Sequence, residues 1–130
     1  MSAPPVVGPA LDCAAIVFRA IRKSWFDPMT GQISEAAFLL RSVDTDGLSV
    51  AISELCTPEQ AAAVLTRCPG VASLHTGKIR NTDSELNVVA DLDDATHALI
   101  TGLPIPENDR LRSEMLAGRL RDQARFIPVA

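Results

Sequence analysis

Arg19, Ser34, Ser49 and His97 each sit in or beside an apolar, strand-like run: Ile16-Val17-Phe18-Arg19-Ala20-Ile21, Ser34 ahead of Ala36-Ala37-Phe38, Leu48-Ser49-Val50, and Thr96-His97-Ala98-Leu99-Ile100. A buried polar group without a partner costs free energy, so each must meet a partner or face a cleft. An arginine can hold a phosphate or carboxylate with two parallel hydrogen bonds. A histidine can move a proton near neutral pH. The serines can donate to an anion or position a substrate. Taken singly, each also has an ordinary structural role: a strand arginine paired with a carboxylate, serines bonded to backbone, a satisfied histidine. Taken together, the expectation is a shared ligand-binding cleft made by Arg19, Ser34, Ser49 and His97.

Established chemical signatures are missing. The Gly77-Lys78 and Thr101-Gly102 pairs lack the frame of a phosphate-binding loop, and no G-x-G-x-x-G opens a helix. No serine lies in a G-x-S-x-G elbow. His75 and His97 with Asp91, Asp93 and Asp94 give no spacing for a metal, and none is expected. Asp44-Thr45-Asp46-Gly47 starts like a calcium loop, but Leu48 falls where an oxygen ligand belongs and Ser49 where glycine belongs. Cys13, Cys56 and Cys68 form no CxxC and read as reduced, mostly buried thiols. Cys56 precedes a helix start, a position that lowers a thiol pKa.

The elements that must carry these residues follow from pattern. Ala14 to Ile21 reads as a buried strand. Asp27-Pro28-Met29-Thr30-Gly31 is a turn. Phe38 to Val43 and Leu48 to Ile52 flank Asp46-Gly47, a strong hairpin signal. Thr57-Pro58-Glu59-Gln60 is a capping box that opens a central helix running through Leu65, with Pro69-Gly70 as its stop. Val71 to Leu74, Leu86 to Val89 and Ala98 to Thr101 read as strands, with a polar loop around Asn81 to Ser84. A final helix starts at Asn108 or Asp109. Leu111, Met115, Leu116 and Leu120 share its apolar spacing, and Arg110, Arg112, Arg119, Arg121 and Arg125 its polar side. The predicted fold is α+β: a mostly antiparallel, curved sheet with one central and one C-terminal helix.

The 130 residues suit one domain at 11–130 behind a flexible tail at 1–10 that holds three of the nine prolines. With aromatics at 4 %, the core is aliphatic and base-stacking platforms are not expected. The net charge of −4 argues against a nucleic-acid partner. No apolar run is long enough for a membrane span and the N-terminus is not a signal peptide, so a cytoplasmic location is expected.

The order Phe18-Arg19-Ala20-Ile21, Ile33-Ser34 to Ala37-Phe38, Gly47-Leu48-Ser49-Val50, Gly70 to Leu74, and His97-Ala98 before Gly102 resembles a scattered set of short bacterial proteins. The resemblance covers about Phe18 to Pro104 and implies a bacterial origin, with no mechanism attached. Arg19 followed by Ser49 is also similar to the NAD-holding arginine and serine of ADP-ribosyltransferase-like toxins, but the late glutamate has no match. The leading expectation is a small accessory or interaction protein. It would bind a small anionic ligand or a protein partner, for which a neighbouring gene is a natural source. Self-association is compatible with this reading, and no cofactor is expected. The rival is a small enzyme acting on a nucleotide or NAD-like substrate, with Arg19 as anion clamp, Ser49 as positioning group and His97 as acid/base.

Overall fold

β-branched and aliphatic residues dominate the segments that pair, and six of them join in one antiparallel sheet. The computed structural model describes residues 8–42, 44 and 47–129. Strands β1 (Ile16–Ile21), β4 (Leu48–Ile52), β5 (Gly70–His75), β6 (Asn87–Ala90), β7 (His97–Thr101) and β8 (Arg125–Pro128) form the sheet in the order β6-β7-β4-β1-β5-β8. A separate small hairpin pairs β2 (Phe26–Asp27) with β3 (Gln32–Ile33). Among the described residues three α-helices accompany them: α1 (Pro58–Ala62), α2 (Thr76–Thr82) and α3 (Arg110–Gln123). The architecture is α+β, as the sequence pattern predicts.

Alternation along each strand sorts the side chains onto two faces. Val17, Ile21, Leu48, Val50, Leu74 and Ile100 point to the main core, where they meet Leu116, Ala117 and Leu120 of α3. Phe18, Ala51 and Val71 point the other way and are covered by Ala61 and Ala62 of α1. The capping box at the start of α1 is present: Gln60 N–H donates to Thr57 Oγ1 at 3.1 Å, and Thr57 N–H donates to the Gln60 side chain at 2.9 Å. The helix ends at Ala62, short of the expected Leu65, because only Ala61 and Ala62 find sheet to cover.

Several expectations need correction. Phe38 does not begin a hairpin strand. It closes a 3-10 helix, Glu35–Phe38, and is fully buried in the main core. Leu48–Ile52 pairs instead with β1 and β7, and of the expected hairpin Val43, Thr45 and Asp46 lie outside the described residues. Asn81 and Thr82 of the expected polar loop belong to α2, and β8 follows α3 where only helix was expected. Leu111 and Met115 are exposed, because the buried stripe of α3 is Ser113, Leu116, Ala117 and Leu120. Gly8 to Leu11 is not free tail: Gly8 N–H donates to Ala90 O at 3.0 Å and Leu11 N–H to Val88 O at 2.9 Å, covering the edge of β6. Arg80 pins this segment, its Nη2 donating to Leu11 O at 2.6 Å and its Nε to Asn87 Oδ1 at 2.8 Å. Residues 1–7 lie outside the described residues.

The opposite edge is blunted differently. Val129 N–H donates to Pro69 O at 3.0 Å. By alternation, residues 125 and 127 also aim at β5, whereas Phe126 and Pro128 face outward. Pro128 thus removes an outward donor, the usual way to discourage pairing of an edge strand.

Candidate functional site

The pairing of β1 with β4 stops early. Val17 lies opposite Ile52 and Phe18 opposite Ala51, and there the ladder ends. Both strands continue, β1 pairing with β5 as far as Ile21 and β4 with β7 as far as Leu48. Ala20 and Ser49 would form the next hydrogen-bonded pair, so the split leaves their backbone groups facing one another without a ladder bond.

Arg19 fills this split. Its strand position matches Val17 and Ile21, which aims its side chain toward the main core. A guanidinium cannot be buried there unpaired. It turns instead toward two backbone carbonyls: Nε donates to Ala37 O at 3.0 Å and Nη1 to Ser49 O at 2.9 Å. The guanidinium carbon also lies 5.5 Å from the centre of the Trp25 ring, within cation–π range, and that of Arg22 lies 5.3 Å from it. Burial lowers the Arg19 pKa to about 10, partly opposed by Asp44, so the group is a cation at neutral pH. Among the described residues, Nη2 of Arg19 has no protein partner.

A cavity of about 190 Å³ opens over the split. Arg19, Ser49 and His97 all line it, and Arg22, Trp25, Arg41 and Asp44 join them. Ser49 and His97 reach it from the face that carries Phe18 and Ala51, since Phe18, Ala51 and His97 lie in one cross-strand row. The Ser49 residue is exposed, while Nδ1 of His97 lies 3.4 Å from Asp94 Oδ2. Asp94 is held below the ordinary carboxylate range, first by the Thr96 hydroxyl at 2.7 Å and then by the Thr96 N–H at 2.9 Å, with His97 adding to the effect. Arg41 is anchored by Asp44, its Nε donating to Asp44 Oδ2 at 3.3 Å.

Ser34 does not take part. Its hydroxyl accepts from Ala36 N–H at 3.2 Å and caps the 3-10 helix Glu35–Phe38. Of the polar residues singled out by sequence, the structure therefore unites Arg19, Ser49 and His97 and assigns Ser34 a local structural bond. Sequence reasoning passed over Arg22, Trp25 and Arg41. Arg22 and Trp25 lie outside the apolar runs and Arg41 within Phe38 to Val43, and only the folded chain brings them to the split.

Of the cysteines, expected to be mostly buried, one departs. Cys13 is exposed, and Cys56 and Cys68 are half-buried. Burial, and secondarily Asp94, pushes the Cys56 thiol pKa up, against the lowering that its place before a helix suggests. The five-residue α1 is too short to override that burial. Among the described residues no helix is long and apolar enough to cross a membrane.

Compared with protein-family models, curated proteins and solved structures, the chain finds no match in any of the three.

Proposed function

We propose that this chain is a small binding protein whose sheet split receives an anionic group, a carboxylate or phosphate, and that it works as an accessory or interaction protein rather than as an enzyme. The observation that carries the reading is the arrangement of Arg19. Two carbonyls fix its guanidinium while a further nitrogen has no partner among the described residues and faces a ligand's place, and Arg22 and Arg41 stand on the same cavity. A prepositioned arginine loses little side-chain freedom on binding, which favours bidentate recognition of a planar anion. The backbone N–H of Ser49 and of Ala20 at the split adds donors of the same sign.

A volume of about 190 Å³ suits an anionic group and little more. Drug-sized and cofactor pockets run to roughly 300–1,000 Å³. A nucleotide or NAD-like molecule would have to extend well beyond the cavity. The unpaired cysteines are compatible with a reducing, cytoplasmic setting.

Trp25, the single tryptophan, lines the cavity and supplies its own reporter. Titration with phosphate, acetate, glutarate and NAD, read by tryptophan fluorescence and by thermal stability, tests the reading. A ligand at a hundred times its dissociation constant stabilises the fold by about 2.7 kcal/mol. A saturable response to the small anions that Arg41→Ala weakens is the expected result. No response to any small anion would overturn it, and turnover of NAD would establish the enzyme alternative.

A further inference from the structure

The cavity over the split does not end at Trp25. A second, shallower depression of about 790 Å³ is lined by Arg22, Lys23, Ser24, Val64, Leu65 and Thr66. It shares Arg22, Val64 and Leu65 with the first, so the two form one groove. Along it stand Arg19, Arg22, Lys23 and Arg41, with Asp44 as the one acidic lining residue among those described. The groove is therefore cationic on a chain whose net charge is −4. Its floor is apolar, and Val64 is 60 % exposed there although it is a large aliphatic side chain.

We infer that the groove is the docking site for an acidic, extended segment of a partner protein, one carboxylate seated on Arg19 and the following residues running over Val64 and Leu65 toward Lys23. The inference rests on the anion-binding reading above and extends it from a chemical group to a partner. Charge complementarity selects the occupant. An extended segment turns every second side chain to the groove, so acidic, apolar and acidic residues at alternate positions match its surfaces in turn: guanidinium, aliphatic floor, ammonium. A nucleic-acid strand fits less well. Trp25 is engaged by two guanidinium groups, so it offers no unoccupied stacking platform, and the acidic remainder of the chain repels a long polyanion.

A labelled hexapeptide with glutamate, leucine and glutamate at its first, third and fifth positions and serine between them, titrated by fluorescence anisotropy, is the direct probe, with the peptide carrying glutamine in place of glutamate as its neutral control. Saturable binding of the acidic peptide alone is expected, weakened about tenfold or more as salt rises through the range that screens surface charge. Lys23→Glu lies outside the inner cavity. It should reduce peptide affinity by about five- to tenfold and leave the Trp25 response to phosphate and acetate unchanged. Equal binding of the neutral peptide, or an unaltered affinity in Lys23→Glu, would overturn the inference. Absence of peptide binding with the small-anion response intact would overturn it while leaving the anion site standing, and loss of both would remove both. Tighter binding of a single-stranded RNA oligonucleotide, or a dimer in sedimentation that Lys23→Glu dissociates, would assign the groove to a different occupant.

Discussion

Replacing Arg19 with methionine separates its shape from its hydrogen bonds. Methionine keeps most of the aliphatic stem that packs beside Val17 and Ile21, but it has no donor. The carbonyl of Ala37, a residue with no exposed surface, then loses the Nε bond of 3.0 Å. A hydrogen bond from a charged donor contributes about 1.5–3 kcal/mol, and leaving a buried acceptor unsatisfied forfeits most of that. The Ser49 carbonyl belongs to an exposed residue and can turn to water, so its share is about 0.5 kcal/mol. The stacking of guanidinium on Trp25 adds about 0.5–1 kcal/mol. Relief of the buried charge offsets part of the sum. The net expectation is a loss of about 2 kcal/mol for Arg19→Met, about 3 kcal/mol for Arg19→Ala, which also leaves a void, and a smaller loss for Arg19→Lys, which can reach one carbonyl. Urea denaturation at neutral pH is the assay, and with an m-value of about 1–3 kcal/mol/M the methionine variant should shift the midpoint down by about 1 M. The Arg19 pKa is depressed on folding from the ordinary guanidinium range to about 10. Stability linked to its deprotonation is therefore complete above the unfolded value and lost as pH falls through about 10, so the difference between wild type and Arg19→Met should be flat from pH 6 to 9, a window of about three units. A methionine variant as stable as wild type, or a difference that varies across that window, would refute the account of Arg19 as the clamp of the strand split.

Three further outcomes follow from particular contacts. Ser34→Ala should cost about 1 kcal/mol through loss of its cap on the 3-10 helix and leave anion binding unchanged, measured by denaturation and Trp25 titration together. Asp94→Asn should weaken the turn before β7 near neutral pH. Because the Asp94 pKa is lowered on folding, that contribution is present above the unfolded value of about 3.9 and fades as pH falls through the lower folded value, so acid unfolding curves of the two proteins should converge. Alkylation by iodoacetamide, followed by mass spectrometry at mildly alkaline pH, should modify exposed Cys13 before Cys56, whose raised pKa keeps it a thiol. Fast labelling of Cys56 would contradict the burial of that side chain.

The sequence determined what depends on neighbours along the chain. Pattern located five of the six main-sheet strands, and capping chemistry located the starts of α1 and α3, since a Thr-Pro-Glu-Gln box and an Asp N-cap act within one helical turn. It also flagged Arg19, Ser49 and His97, because a polar residue amid apolar neighbours must find a partner wherever the chain goes. Tertiary structure decided which partners. Leu48–Ile52 could pair locally across Asp46-Gly47, but between β1 and β7 it buries Leu48, Val50 and Ala51, and Phe38 gained more by burying under α3. Leu111 and Met115 share helical spacing with Leu116, yet the sheet reaches only one stripe of α3. The split between β1 and β4 is the deepest case. No local rule places an unmade ladder bond at Ala20 and Ser49, or gathers Trp25 and Arg41 beside it. A charged side chain on a core-facing strand position required backbone carbonyls, and only packing across the sheet could supply those of Ala37 and Ser49.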